Sequence, residues 1–219
     1  MWKQARRTKT VREGVFGVLC SMAGERKRCM YCEDSRGTDI DHFWPKSAYP
    51  QRTFQWVNML LSCSGCQRAK GDRFPLNEAG EPLLIDPTAE DPWEYLFYVS
   101  QTGVITARFD PGTGQESPKG LATTDLLPLN DEAISSGRKR VSRRLVDAVQ
   151  GFLDAAEGSF AGTAEDGETS RLRAAIRESP DYGLSRWYFA GAGQGEEPFR
   201  SLKHAYPKLF EELAHVVSP

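Results

Sequence analysis

Two adjacent residues, Asp41 and His42, are the part of this 219-residue chain best suited to chemistry. An imidazole titrates near neutrality and suits a general base. The carboxylate beside it is a hard oxygen ligand for Mg²⁺ or Mn²⁺. A base next to a divalent cation is what phosphodiester hydrolysis needs: water attacks phosphorus in line with the leaving oxygen while the cation stabilises the developing charge. Asn58, in the run Trp56-Val57-Asn58-Met59-Leu60-Leu61, is a candidate to fix the His42 ring by a hydrogen bond. The competing structural readings are a satisfied core histidine, a capping or turn aspartate and a turn-stabilising asparagine.

Four of the five cysteines bracket this pair. Cys29 and Cys32 form one C-x2-C knuckle, Cys63 and Cys66 a second. Each knuckle presents two thiolates to one ion, so the set predicts a tetrahedral zinc site. Four thiolates saturate zinc and leave no open position for water or substrate, so this zinc is expected to be structural. After Cys66, Gln67-Arg68-Ala69-Lys70 reads as a short helix stopped by Gly71.

The C-x2-C, the D-H with P-K-S after it, the W-x-N-x-L-x-S-C-x2-C and the K-G-D resemble the signature of HNH endonucleases on a ββα-metal fold. More narrowly, the chain resembles the retron- and Septu-associated HNH proteins of bacterial antiphage defence. That resemblance continues through Phe74-Pro75, the E-P-L-L-I-D-P at 81–87 and the K-G-L-A-T-T-D-L-L-P-L-N at 119–130. It implies that His42 is the base, Asn58 the middle residue of the signature, and Asp41 and the residue after the fourth cysteine the ligands of a catalytic Mg²⁺ or Mn²⁺. It also implies an ABC-type ATPase as partner. The chain departs from the family at that last ligand, where Gln67 stands in place of His or Asn. A glutamine carbonyl can bind Mg²⁺ but must order one more torsion; the alternative is a surface glutamine with water in its place. Lys46, Arg68 and Lys70 are expected against nucleic-acid phosphates, or, for Lys70, at the helix C-terminus.

The elements that must position these groups follow from local pattern. Thr38 to Phe43 reads as a strand ending at the Trp44-Pro45 turn, and Trp44, Tyr49, Phe54 and Trp56 are expected to pack around the small metal-built core, with base stacking by any of them the minority alternative. Trp93–Ser100 and Val104–Phe109 read as a hairpin, Pro82–Pro87 as an extended segment and Asp110–Pro118 as a loop. Lys119–Leu127 and Asn130–Ala156 read as helices separated by Pro128. In the second, Ile134, Val141, Leu145, Val149 and Phe152 recur at helical spacing, opposite a solvated basic face of Arg138, Lys139, Arg140, Arg143 and Arg144. Gly158–Gly167 reads as a linker, Thr169–Glu178 as a helix and Leu202–Val217 as helical with a break at Pro207. The glycines at 191–195 are followed by Glu196, Glu197 and Pro198, so they predict a flexible turn and no phosphate cradle.

Composition divides the chain. The formal net charge is −2. Residues 1–28 carry Lys3, Arg6, Arg7, Lys9, Arg12, Arg26, Lys27 and Arg28 against Glu13 and Glu25, or +6. That arm either neutralises phosphates or is simply a solvated terminus. Between Gly71 and Asn130 ten acidic residues face only Arg73, Arg108 and Lys119, which predicts a surface that avoids DNA or meets a basic partner surface. Nothing reads as a signal peptide or membrane span, and reduced cysteines on zinc suit the cytoplasm. The expectation is an α+β protein with four parts: a basic helical arm (1–28), an HNH zinc core (29–75), an acidic loop and hairpin (76–118) and a helical region (119–219). Its expected function is metal-dependent hydrolysis of DNA. The rivals are a non-catalytic zinc module that binds nucleic acid or protein, and a toxin acting on RNA.

Overall fold

The computed structural model describes residues 1–158, 164–177 and 182–217. The chain divides into two compact units, one made of Met1–Val99 with Val104–Ile134 and the other of Ser100–Gly103 with Ser135–Pro219.

In the first unit, helices α1 (Trp2–Ala5) and α2 (Phe16–Met22) precede an antiparallel hairpin of β1 (Asp39–His42) and β2 (Met59–Ser62). A wide helical turn at Thr10–Val15 leads directly into α2. The pairing Ile40↔Leu61 and His42↔Met59 fixes the register. Because side chains alternate across a strand, Ile40 and Met59 share one face, and there Trp2, Leu19, Cys20 and Leu61 close a small apolar core. Gly37 is required beside it, since a Cβ there would lie 2.2 Å from Leu61 Cγ. Helix α3 (Ser64–Lys70) follows β2 at once, begins on the Cys63 sulfur, which accepts from the Cys66 amide, and ends at Gly71 with φ +53°. Within residues 39–70 the order is thus hairpin then helix.

Beyond it, β3 (Leu96–Val99) and β4 (Val104–Ala107) form the expected hairpin. The stretch expected as a loop after Phe109 instead carries a two-residue ladder, β5 (Phe109–Asp110) against β6 (Gln115–Glu116). Helix α4 (Pro118–Leu126) starts on Ser117, whose hydroxyl accepts from the Gly120 amide at 3.2 Å. Leu84 and Ile85 are buried from the extended 82–87 segment, and the Ile85 amide donates to Thr123. Asn130 brackets both backbone groups of Ile105, at 2.8 and 2.7 Å, while Asp131 accepts from Ala133 at the start of the next helix.

That helix, α5 (Glu132–Gly158), carries most of its length into the second unit, with α6 (Ala164–Arg177), α7 (Leu184–Ala190), α8 (Phe199–Ala205) and α9 (Pro207–Val217). Val141, Leu145, Val149 and Phe152 are buried as their spacing predicts. Arg138 is not on the solvated basic face: it is buried, and its guanidinium donates to the Gly103 carbonyl. Tyr188 stacks on Phe199 at 4.1 Å and shares a 2.6 Å hydrogen bond with Ser142. The linker expected at 158–167 is helical from Ala164; residues 159–163 and Glu178 lie outside the described residues. Among the described residues no helix is long and apolar enough to cross a membrane.

Candidate functional site

The hairpin explains how two distant cysteine pairs meet. The first knuckle docks its backbone on β2, through Met30 N to Leu61 O and Thr38 N to Ser62 O, both 2.9 Å. Strand β2 then runs straight into Cys63. All four sulfurs are buried and lie within 4.8 Å of one another, with Cys32 and Cys63 at 4.0 Å. A tetrahedral zinc with sulfurs at about 2.3 Å separates them by about 3.8 Å. The donor set is soft and closed, which fits zinc in a structural role. Protons are shared unevenly among the thiols. A hydrogen bond from Cys32 holds the Cys29 thiol down to about 7. Hydrogen bonds from Cys29, Cys32 and Cys66 hold Cys63 low, and hydrogen bonding to the other sulfurs pushes Cys32 and Cys66 up.

Asp41 and His42 sit at the end of β1, both buried. Asp41 Oδ2 receives two donors: the Tyr31 hydroxyl at 2.9 Å and the Lys70 ammonium at 3.2 Å. Its Oδ1 has no hydrogen-bond partner among the described residues. Tyr31 is the residue that the motif left out. It lies inside the first knuckle, Cys-Met-Tyr-Cys, so the same turn that offers two thiols also reaches the carboxylate. The only sequence signal for it is that position between two ligands.

Lys70 differs from its expected place. It is fully buried in α3, bonded to the His42 carbonyl at 2.7 Å as well as to Asp41, and is not open to phosphate. The apolar stem and charged head are both satisfied inside the unit. Lys46 and Arg68, by contrast, are exposed.

The His42 ring is fixed from two sides. Its Nε2 lies 2.9 Å from the Thr53 carbonyl, and the edge of the Trp2 ring packs against it with centroids 4.4 Å apart. A carbonyl only accepts, so Nε2 carries the hydrogen and Nδ1 keeps a lone pair. Burial pushes the imidazole below its usual range, against the raising effect of the Thr53 contact, and the Lys46 charge adds to the lowering.

Asn58 does not bond to that ring. Its Oδ1 accepts from Trp44 N at 2.6 Å, and its Nδ2 donates to the carbonyls of Trp44 and Arg52 at 3.1 Å. The amide is used up in closing the 43–58 loop, one residue short of the Thr53 carbonyl that holds His42. Gln67, half-buried on α3, turns its Nε2 toward the Ile40 carbonyl at 3.5 Å, and its Oε1 has no hydrogen-bond partner among the described residues.

The aromatic residues separate into two groups. Trp44 packs against Tyr49 and Phe74, with the Arg52 guanidinium 4.3 Å above its ring. Phe54 and Trp56, expected in the same core, stand out of it at 53% and 44% exposed. The loop clamped by Asn58 turns them outward between two buried anchors, Thr53 and Asn58.

The chain is thus a protein of mixed helix and small sheets with a four-cysteine cluster that could hold a metal ion. Similarity narrows that class. The chain is 28% identical over 145 residues to a Septu protein PtuB of Bacillus thuringiensis, covering 64% of this chain and 51% of that protein. It is 30% identical over 146 residues to a Septu protein PtuB of Bacillus mycoides strain KBAB4, covering 53% and 47%. Protein ea31 of phage lambda is 32% identical over 82 residues, 35% of this chain and 28% of the phage protein. The chain spans about half the length of the PtuB proteins it matches. No family model and no solved structure matches.

Proposed function

We propose that this chain is a metal-dependent endonuclease of the HNH type, acting on DNA in an antiphage system of the Septu kind under the control of an ATPase partner. One observation carries the reading: at the end of β1, His42 is fixed through Nε2 on the Thr53 carbonyl, and the residue before it is a carboxylate whose Oδ2 takes both Tyr31 and Lys70 while its Oδ1 makes no hydrogen bond among the described residues. Asp41 Oδ1 and Gln67 Oε1 are oxygen donors, which suits a hard cation. These two oxygens would hold Mg²⁺ or Mn²⁺, and the cation would supply neutralisation of charge on the phosphoryl group and leaving oxygen. His42 takes the proton of the attacking water at Nδ1 while Nε2 stays on Thr53, and Asn58 keeps that carbonyl in place. Tyr31 and Lys70 orient Asp41. Residues 29–75 form the nuclease core and 1–28 the arm that approaches phosphate. The similarity to PtuB proteins supports the defence role, and the thiol cluster supports zinc as the structural metal.

A second reading, a zinc-built binding module without catalysis, draws on the same geometry: Lys70 already neutralises Asp41, and Trp2 covers part of His42. Incubation of supercoiled plasmid with the purified protein separates them. Cleavage that appears only with added Mg²⁺ or Mn²⁺ supports the nuclease; binding without cleavage at any metal concentration supports the module.

A further inference from the structure

The segment Phe54-Gln55-Trp56-Val57 is fully turned to solvent, with Phe54 53%, Trp56 44% and Val57 71% exposed, while its neighbours Thr53 and Asn58 are buried. Single exposed apolar residues are ordinary, but three in four consecutive positions, fixed by buried anchors at both ends, make a standing apolar surface. Its place is specific. The Thr53 carbonyl at its start holds His42, and the Trp2 ring bridges His42 and Phe54, with centroids at 4.4 and 6.1 Å. Trp2 also sets where the basic arm emerges: Lys3, Arg6 and Arg7 on and after α1 are exposed, and Arg6 reaches Asp39 on β1 at 3.5 Å. Lys46, on the same 43–58 loop, is exposed as well.

Aromatic faces beside cations match one ligand chemistry. A duplex presents phosphates and base edges, and its base faces are closed in the stack, so exposed phenyl and indole rings gain little from it. An unpaired strand offers base faces to stack on the rings and phosphates for the cations. We infer that Phe54 and Trp56 form a stacking platform for unpaired nucleotides next to His42, so that the chain takes single-stranded or locally opened nucleic acid in preference to an intact duplex. The inference rests on the proposed nucleic-acid site and names its substrate class.

Fluorescence anisotropy with a labelled 20-nucleotide single strand and the matching duplex tests it, using the full chain with zinc bound and no added Mg²⁺ or Mn²⁺. The single strand should bind more tightly. Phe54→Ala and Trp56→Ala should each weaken single-strand binding by about 5- to 150-fold, the range for losing one stacked base, with much less effect on the duplex. Trp56→Phe, which keeps a stacking face, should restore most of the affinity. Equal affinity for both nucleic acids, no binding to either, or Ala variants that bind the single strand like wild type would each overturn the platform; the last result assigns the rings to a protein interface. Plasmid cleavage is read separately. A protein that cleaves yet ignores both substitutions loses the platform and keeps the nuclease, whereas one that needs both rings for binding and never cleaves does the reverse.

Discussion

The cysteine cluster and the Asp41 site lie in the same unit and handle buried charge in opposite ways. The four sulfurs meet one another, the Ser62 hydroxyl and the Cys66 amide. Nothing in that set carries positive charge, so only a bound cation lets all four thiols ionise. Asp41 is buried as well, but the chain supplies its countercharge through Lys70 and a neutral donor through Tyr31. On the proposed reading, the first site would need its metal to fold. The second keeps its shape without one, so a catalytic cation could arrive and leave without unfolding the hairpin.

Substitutions test that contrast in descending order of effect. Changing any one of Cys29, Cys32, Cys63 or Cys66 to Ser should lose the zinc and with it the folded core, because metal affinity in such sites is folding free energy. Elemental analysis and circular dichroism of the variants check this, and a wild type that is fully folded with no zinc would break the first half of the comparison. Lys70→Met should destabilise the unit by about 3–5 kcal/mol, since removing one partner leaves a buried carboxylate uncompensated. Urea unfolding of zinc-loaded protein measures it, and the double variant Lys70→Met with Asp41→Asn should regain much of the loss.

Tyr31→Phe removes one hydroxyl and should cost about 1.5–3 kcal/mol, the worth of a hydrogen bond to a charged group. It should also raise the Mg²⁺ concentration for half-maximal cleavage while zinc content stays at the wild-type level. An unchanged metal titration would reduce Tyr31 to packing. Gln67→Ala should have the smallest effect: a shift of that titration to higher metal, with activity largely recovered at saturation because water replaces a neutral ligand. Identical curves for Gln67→Ala and wild type would leave Asp41 as the sole ligand from this part of the chain.

The four-cysteine cluster was legible because C-x2-C spacing is a local property; the second strand of the hairpin between the pairs was not read from the residues and came only with the ββα resemblance. Side-chain direction was harder to read. A seven-residue helix such as α3 has too few turns for periodicity to declare its inner face, so Lys70 read as a surface cation although it points at β1. Phe54 and Trp56 lie in an irregular loop where no period applies, and their aromatic character alone placed them in the core. Arg138 is different. It follows Ile134 by four residues and precedes Val141 by three, squarely on the buried stripe, and only its charge argued against that position. Asn58 reads from sequence as the residue that fixes the His42 ring, with a turn-stabilising role as its rival, and the rival is what the structure shows: the backbone groups it closes depend on a loop path that sequence does not specify.

The account turns on His42 as the group that activates water. The direct measurement is the single-turnover rate of DNA cleavage at saturating Mg²⁺ or Mn²⁺ for wild type and His42→Ala, with zinc content and DNA affinity matched. A loss of about 10²- to 10⁴-fold in the variant, the usual worth of a positioned base, is the predicted result. Equal rates in the two proteins would contradict it.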